Sequence, residues 1–201
     1  MDLNSLFVPS STEQSTLAAL CQRRDDITQM RTQEKCRLEA PENDHIKESC
    51  QKTTEFFDSQ INELNDTIQK IIDESRGLQQ RQKILKTVPG TGKKLSQDFL
   101  CLMPELGYLN RKEVASLAGV AQHPKESGKA VGYRRITGGR SNVRLKLFTA
   151  AMAATRSKSI LGAFYSKLVE SGKKMVAITA LMRKIIVIAN TRLKEAINLH
   201  T

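Results

Sequence analysis

Between Asn43 and Gln80 the apolar residues fall at Phe57, Ile61, Leu64, Ile68, Ile71 and Leu78, four and three apart, with Ser75 as the weak member. This is a heptad seam, and the positions between are charged or amide-bearing. A helix with so narrow an apolar stripe cannot bury it alone. The stretch before it, ending near Ala40 and stopped by Pro41, carries a patchier apolar face through Leu17, Leu20, Cys21, Ile27, Met30 and Leu38. The spacing predicts an antiparallel helical hairpin over residues 1–80, doubling as a coiled-coil assembly region that makes the chain a homo-oligomer. Asn43 or Asp44 caps the second helix, which is expected to run to Gln80, 37 residues and so roughly 55 Å.

Charge divides the chain at the same place. Residues 1–80 hold 9 Lys+Arg against 15 Asp+Glu, whereas residues 81–201 hold 23 against 6. A basic half of this strength points to nucleic acid as partner. With six Phe, three Tyr and no Trp, the composition argues against a base-stacking platform, so contacts to the phosphate backbone are expected to dominate. The most apolar run, Met175 to Ala189, is interrupted by Arg183-Lys184 and is too short to cross a bilayer. The four cysteines show no CxxC spacing and no paired histidines, so no metal site is expected. The predicted location is cytoplasmic, with no membrane partner.

In the basic half, Ile84, Leu85 and Val88 lead into Pro89-Gly90-Thr91-Gly92-Lys93-Lys94, and Leu95, Phe99, Leu100 and Leu102 follow at helical spacing. Helix, proline–glycine turn, helix is the helix-hairpin-helix pattern. Pro89, Gly90 and Gly92 make the turn, and the amides opening the second helix, with Lys93 and Lys94, are placed to hold a phosphate. A nucleotide-hydrolase phosphate loop is excluded, because Thr87 stands where its first glycine belongs and Lys94 where Ser or Thr belongs. Asn110 and Glu113 form a capping box for a short helix closed by Gly119. Three further helices are predicted, from Ser141 or Asn142 to near Arg156, from Ile160 to Glu170, and from about Lys173 to Asn198. No stretch alternates as a strand does, and the fold class is all-α.

The run from His123 to Lys146 holds Lys125, Lys129, Arg134, Arg135, Arg140, Arg144 and Lys146 against the single acid Glu126. Pro124, Gly128, Gly132, Gly138 and Gly139 keep its first part out of regular helix. Ser127 lies among these cations. Cations suit a polyanion and a hydroxyl suits a nucleophile attacking phosphorus, although such a serine can equally cap a turn in a solvated loop.

Three stretches together, VPGTG with ELG, then RKEVASLAGVAQHPKESGKAVGYRRITGGRSNVRLKLFTAAMAATR, then AFYSKLVESGKKMVAITALMRKIIVIAN, resemble the C-terminal domain of insertion-sequence transposases. The group is the Piv-type (IS-one-ten) family, the bridge-RNA-guided serine recombinases. The resemblance covers about residues 84–192 closely. It implies that Ser127 forms a transient phosphoserine link to DNA during strand cleavage and rejoining. It also implies double-stranded DNA and a guide RNA as partners. In this family an N-terminal RuvC-like nuclease domain binds magnesium through four acidic residues. No such strand-rich domain precedes the hairpin here, so the chain reads as a truncated transposase with no cofactor of its own, magnesium being expected only with the missing domain. Lys93, Lys94, Lys125, Lys129, Arg134, Arg135, Arg140, Arg144 and Lys146 are the expected DNA contacts. The alternative is a non-catalytic, sequence-tolerant DNA- or RNA-binding module with the serine idle.

Overall fold

The computed structural model describes residues 12–39, 43–123, 135–157, 159–170, 172 and 174–198. The fold is all-α. Eight helices occur among these residues: α1 (Thr12–Leu38), α2 (Asp44–Glu74), α3 (Arg76–Lys86), α4 (Lys93–Leu102), α5 (Arg111–Leu117), α6 (Ser141–Thr155), α7 (Ile160–Glu170) and α8 (Lys174–Asn198). Two short segments that were not expected, β1 (Gln122–His123) and β2 (Arg135–Ile136), pair antiparallel, with Gln122 opposite Ile136 and His123 opposite Arg135. The chain forms two compact units, residues 1–79 and 80–201.

In the first unit α1 and α2 pack as a hairpin. Arg24 donates to Asn65 Oδ1 at 3.4 Å and Arg31 pairs with Asp58. Partners therefore run in opposite directions along the two helices, which makes the hairpin antiparallel. Asn43 begins α2 in an extended conformation, and its side chain accepts from the His45 amide at 2.9 Å. Ile61, Ile68 and Ile72 are buried along α2, while Leu64 and Ile71 are half-buried. The buried line passes from Ile68 to Ile72 rather than Ile71, because 3.6 residues per turn drift against a strict heptad. The long helix expected to reach Gln80 stops earlier. Ser75 is extended (φ −101°, ψ 112°) and ends α2 after 31 residues, roughly 46 Å. A serine beside Gly77 offers neither side-chain packing nor helix propensity to hold the helix through this point.

The core of the second unit is gathered around α8. Ile178, Leu181, Met182, Ile185, Ile186 and Leu193 are buried along it. Helices α5, α6 and α7 pack against α8, and α4 packs against α6. Alanines bring the helices close: Ala150, Ala151 and Ala154 of α6 and Ala177 and Ala189 of α8 are buried. Lys184 places its Nζ 3.9 Å from the centre of the Phe164 ring, which lets a cation sit beside apolar surface.

Candidate nucleic-acid interface

The turn between α3 and α4 is tight. Val88 donates to Leu85 O and Thr91 to Val88 O, both at 3.0 Å, and Gly90 takes φ +84°. A Cβ on Gly90 would lie 3.5 Å from both Ala150 O and Ala154 Cβ, so the turn seats against α6. Gly92 opens α4 without any side-chain cap, and Lys93 and Lys94 stand exposed in the first turn. Gly92 thus supplies no capping side chain at the point where two lysines stand exposed.

The loop from Met103 to Asn110 is held from three directions. Arg81 donates to Pro104 O and Leu106 O, each at 2.9 Å. Burial pushes the Arg81 guanidinium down from its ordinary range, opposed by Tyr108 and Glu105. Asn190, buried in α8, accepts from the Gly107 amide at 2.9 Å and donates to Leu109 O at 2.8 Å. Arg140 reaches across to both oxygens of Glu105, at 2.9 and 2.6 Å, and also to Leu102 O. Burial raises the Glu105 carboxyl, but the Arg140 hydrogen bonds and charge outweigh it and hold the group below its ordinary value. At the end of the loop Asn110 caps α5, accepting from Lys112 and Glu113, while Glu113 accepts from the Asn110 amide at 2.8 Å.

The glycine pair ahead of α6 explains the positions of its arginines. Gly138 and Gly139 take φ +71° and +64°, and a Cβ on Gly139 would fall 2.3 Å from Gly119 N and 2.4 Å from Ser116 O. Only a glycine fits against the end of α5 here. The Arg140 amide then donates to Leu117 O at 2.8 Å. Arg144 donates to Gly119 O at 3.3 Å and Gly138 O at 3.0 Å, which fixes the two ends of the approach together.

The nine expected DNA contacts consequently fall into distinct places. Lys93 and Lys94 are exposed. Arg140 is engaged by Glu105, Arg144 by backbone carbonyls, and Lys146 stands 4.0 Å from the buried Asp98 carboxylate. Arg135 lies on β2 opposite His123. Lys125, Ser127, Lys129 and Arg134 lie outside the described residues. The sequence reading did not single out Arg111 and Lys112, exposed at the start of α5, nor Arg156 after α6 and Lys174 and Arg183 on α8. Their only sequence signal was the charge excess itself.

Three of the six acids in the basic half are occupied internally: Asp98 faces Lys146, Glu105 faces Arg140, and Glu113 serves the α5 cap. Among the described residues, no three His, Cys, Asp or Glu side chains come together as a metal site. Nor is any described helix long and apolar enough to cross a membrane.

The geometry defines an all-α domain with an overwhelmingly cationic surface, built around a glycine-seated turn and a glycine–arginine staple. Residues 82–166 match the family model of the IS116/IS110/IS902 transposases, so this part of the chain is similar to that family. It is also 26% identical over 195 residues to the pilin gene-inverting proteins of Moraxella lacunata and Moraxella bovis. Those alignments cover 94% of this chain and 60% of each relative, so the chain spans less than two thirds of their length.

Proposed function

We propose that this chain binds double-stranded DNA and takes part in its recombination, with Ser127 as the nucleophile. The match to a transposase family over residues 82–166, a stretch that includes Ser127, carries the reading. The name of the similar Moraxella proteins supports it, since inverting a gene requires strands to be cut and rejoined. In this mechanism Ser127 Oγ attacks the scissile phosphorus. A new O–P bond forms, the bond from phosphorus to a deoxyribose oxygen breaks, and the proton passes to the leaving oxygen. The phosphoserine ester retains the energy of the phosphodiester. A deoxyribose hydroxyl of the recombining strand can therefore reverse the step and release the serine without a nucleotide triphosphate.

The α3–α4 turn serves as a helix-hairpin-helix, its Gly92 amide end and Lys93 and Lys94 holding one phosphate. Lys125, Lys129, Arg134 and Arg135 hold others. Arg140 and Lys146 contribute mainly by shaping the loop that leads into α6, because their polar ends are already partnered, whereas Arg144 engages backbone carbonyls through Nη1. A guide RNA is a further partner, and the seam of the hairpin extends to a second copy.

The test is covalent trapping. Nicked and intact duplexes are incubated with the chain, with and without a family nuclease domain and guide RNA in trans, then run on a denaturing gel. An adduct with the wild-type chain that vanishes in Ser127→Ala, at an affinity changed less than about twofold, is the expected result. An adduct persisting in the alanine variant would exclude Ser127. Duplex binding with no adduct in any mixture would favour the non-catalytic binding module.

A further inference from the structure

Between α6 and the first turns of α8 lies a groove of about 320 Å³ lined by Ile136, Leu145, Phe148, Met175, Ile178 and Met182. Ser141, Arg144 and Thr179 complete its wall. Ile178 and Met182 form its buried floor, but three of its apolar residues stand open. Leu145 and Met175 are each 64% exposed, and Phe148 is 37% exposed, with Val176 beside them at 52%. Isolated exposed apolar side chains are ordinary, but a contiguous group around a concavity marks a binding surface.

The charge around this groove restricts what can enter. Helix α6 contains no Asp or Glu, and α8 contains none before Glu195. The same stretches carry Arg144, Lys146, Lys174, Arg183 and Lys184, of which Lys146 is offset by Asp98. Among the described residues that line it, the groove thus combines an apolar floor with the cation Arg144 and no acid. A ligand matching both has an apolar face and an anionic group at its edge.

Resting on the nucleic-acid reading above, we propose that this groove receives an unpaired nucleobase, with its phosphodiester beside Arg144. Phe148 and the polarisable thioether of Met175 supply the stacking surface, over a floor that includes the buried Ile178 and Met182. Arg144 already donates to the Gly119 and Gly138 carbonyls, so its guanidinium is held in place before any ligand arrives. Thr179 Oγ1 donates to Met175 O at 3.0 Å and keeps lone pairs to accept from a base edge, while Ser141 is exposed and offers a second hydroxyl. A low aromatic count does not prevent stacking here, because Phe148, Met175 and Leu145 share the task.

The full chain is titrated with duplexes carrying a single bulged 2-aminopurine, and with the same duplexes fully paired, in DNA and RNA versions. The variant is Leu145→Ser/Met175→Ser, which alters two well-exposed side chains and leaves the net charge unchanged. The wild-type chain is expected to shift the 2-aminopurine emission and to bind the bulged strand roughly tenfold more tightly than the paired one. The double variant should lose that preference and bind paired duplex as before. The DNA and RNA arms decide which strand supplies the base. Equal wild-type affinity for bulged and paired duplex would overturn the groove assignment while leaving duplex binding intact. A change in sedimenting mass in the variant would overturn it in favour of a protein occupant. No binding to any duplex would remove the nucleic-acid reading as well.

Discussion

Arg140 grips both carboxylate oxygens of Glu105, 35 residues earlier in the chain, while its own amide is held by Leu117 O. A residue that reads as a phosphate contact thus ties the loop after α4 to the start of α6. Arg140→Ala should lower stability by about 1–2 kcal/mol, since the pair is about one-third exposed and partly screened. Urea unfolding measures this. An unchanged midpoint together with lost duplex affinity would return Arg140 to the DNA surface.

The same pair sets a pH dependence. Glu105 titrates below its ordinary value of 4.5 in the folded chain. Its contribution is therefore present above the unfolded-state pKa and is lost as pH falls through the lower folded-state pKa. Glu105→Gln should destabilise the chain near neutrality and flatten the acid limb of its stability curve below about pH 4.5. Thermal melts from pH 7 to pH 3 would show parallel curves for the two proteins if the pair carried no weight.

The glycine pair before α6 allows a sharper comparison. Gly138 and Gly139 both have positive φ, yet a Cβ on Gly138 meets nothing within 4 Å whereas one on Gly139 collides with backbone at 2.3 Å. Gly138→Ala should cost roughly 1–2 kcal/mol, the ordinary penalty of a left-handed alanine. Gly139→Ala should cost at least about 3 kcal/mol, because the end of α5 must move. Equal melting temperatures for the two variants would show that the α5 contact is not tight.

In the hairpin, Ile68 is fully buried and Leu64 only half so. Ile68→Glu should destabilise the first unit by more than about 3 kcal/mol, and Leu64→Glu by clearly less. Helicity by circular dichroism and mass by sedimentation separate an unravelled hairpin from a dissociated oligomer. Identical helicity and mass in wild type and both variants would remove the seam from hairpin packing and assembly alike.

Duplex binding should be strongly salt-dependent. With about five phosphates neutralised, the slope of log K against log salt should be near −4.5, and Lys93→Ala/Lys94→Ala should reduce its magnitude by about one to two. A slope near zero would exclude a cationic interface.

Much of this protein was legible in its sequence because the signals were local. Apolar spacing marked α2 and α8, Asn43 and the Asn110–Glu113 box marked helix starts, and the charge step near residue 80 marked the cationic half. Each depends on residues within a few turns of one another, where periodicity and capping act directly. The tertiary structure decided which cations face outward. Arg140, Arg144 and Lys146 carry the same charge as Lys93, but their partners lie on distant segments that only folding brings near. It also decided where α2 ends, since Ser75 and Gly77 weaken the helix without dictating a break. The groove beside Leu145 and Met175 has no linear signature at all: it is lined by side chains that α6 and α8, each read alone, present as ordinary apolar positions and that only folding brings together.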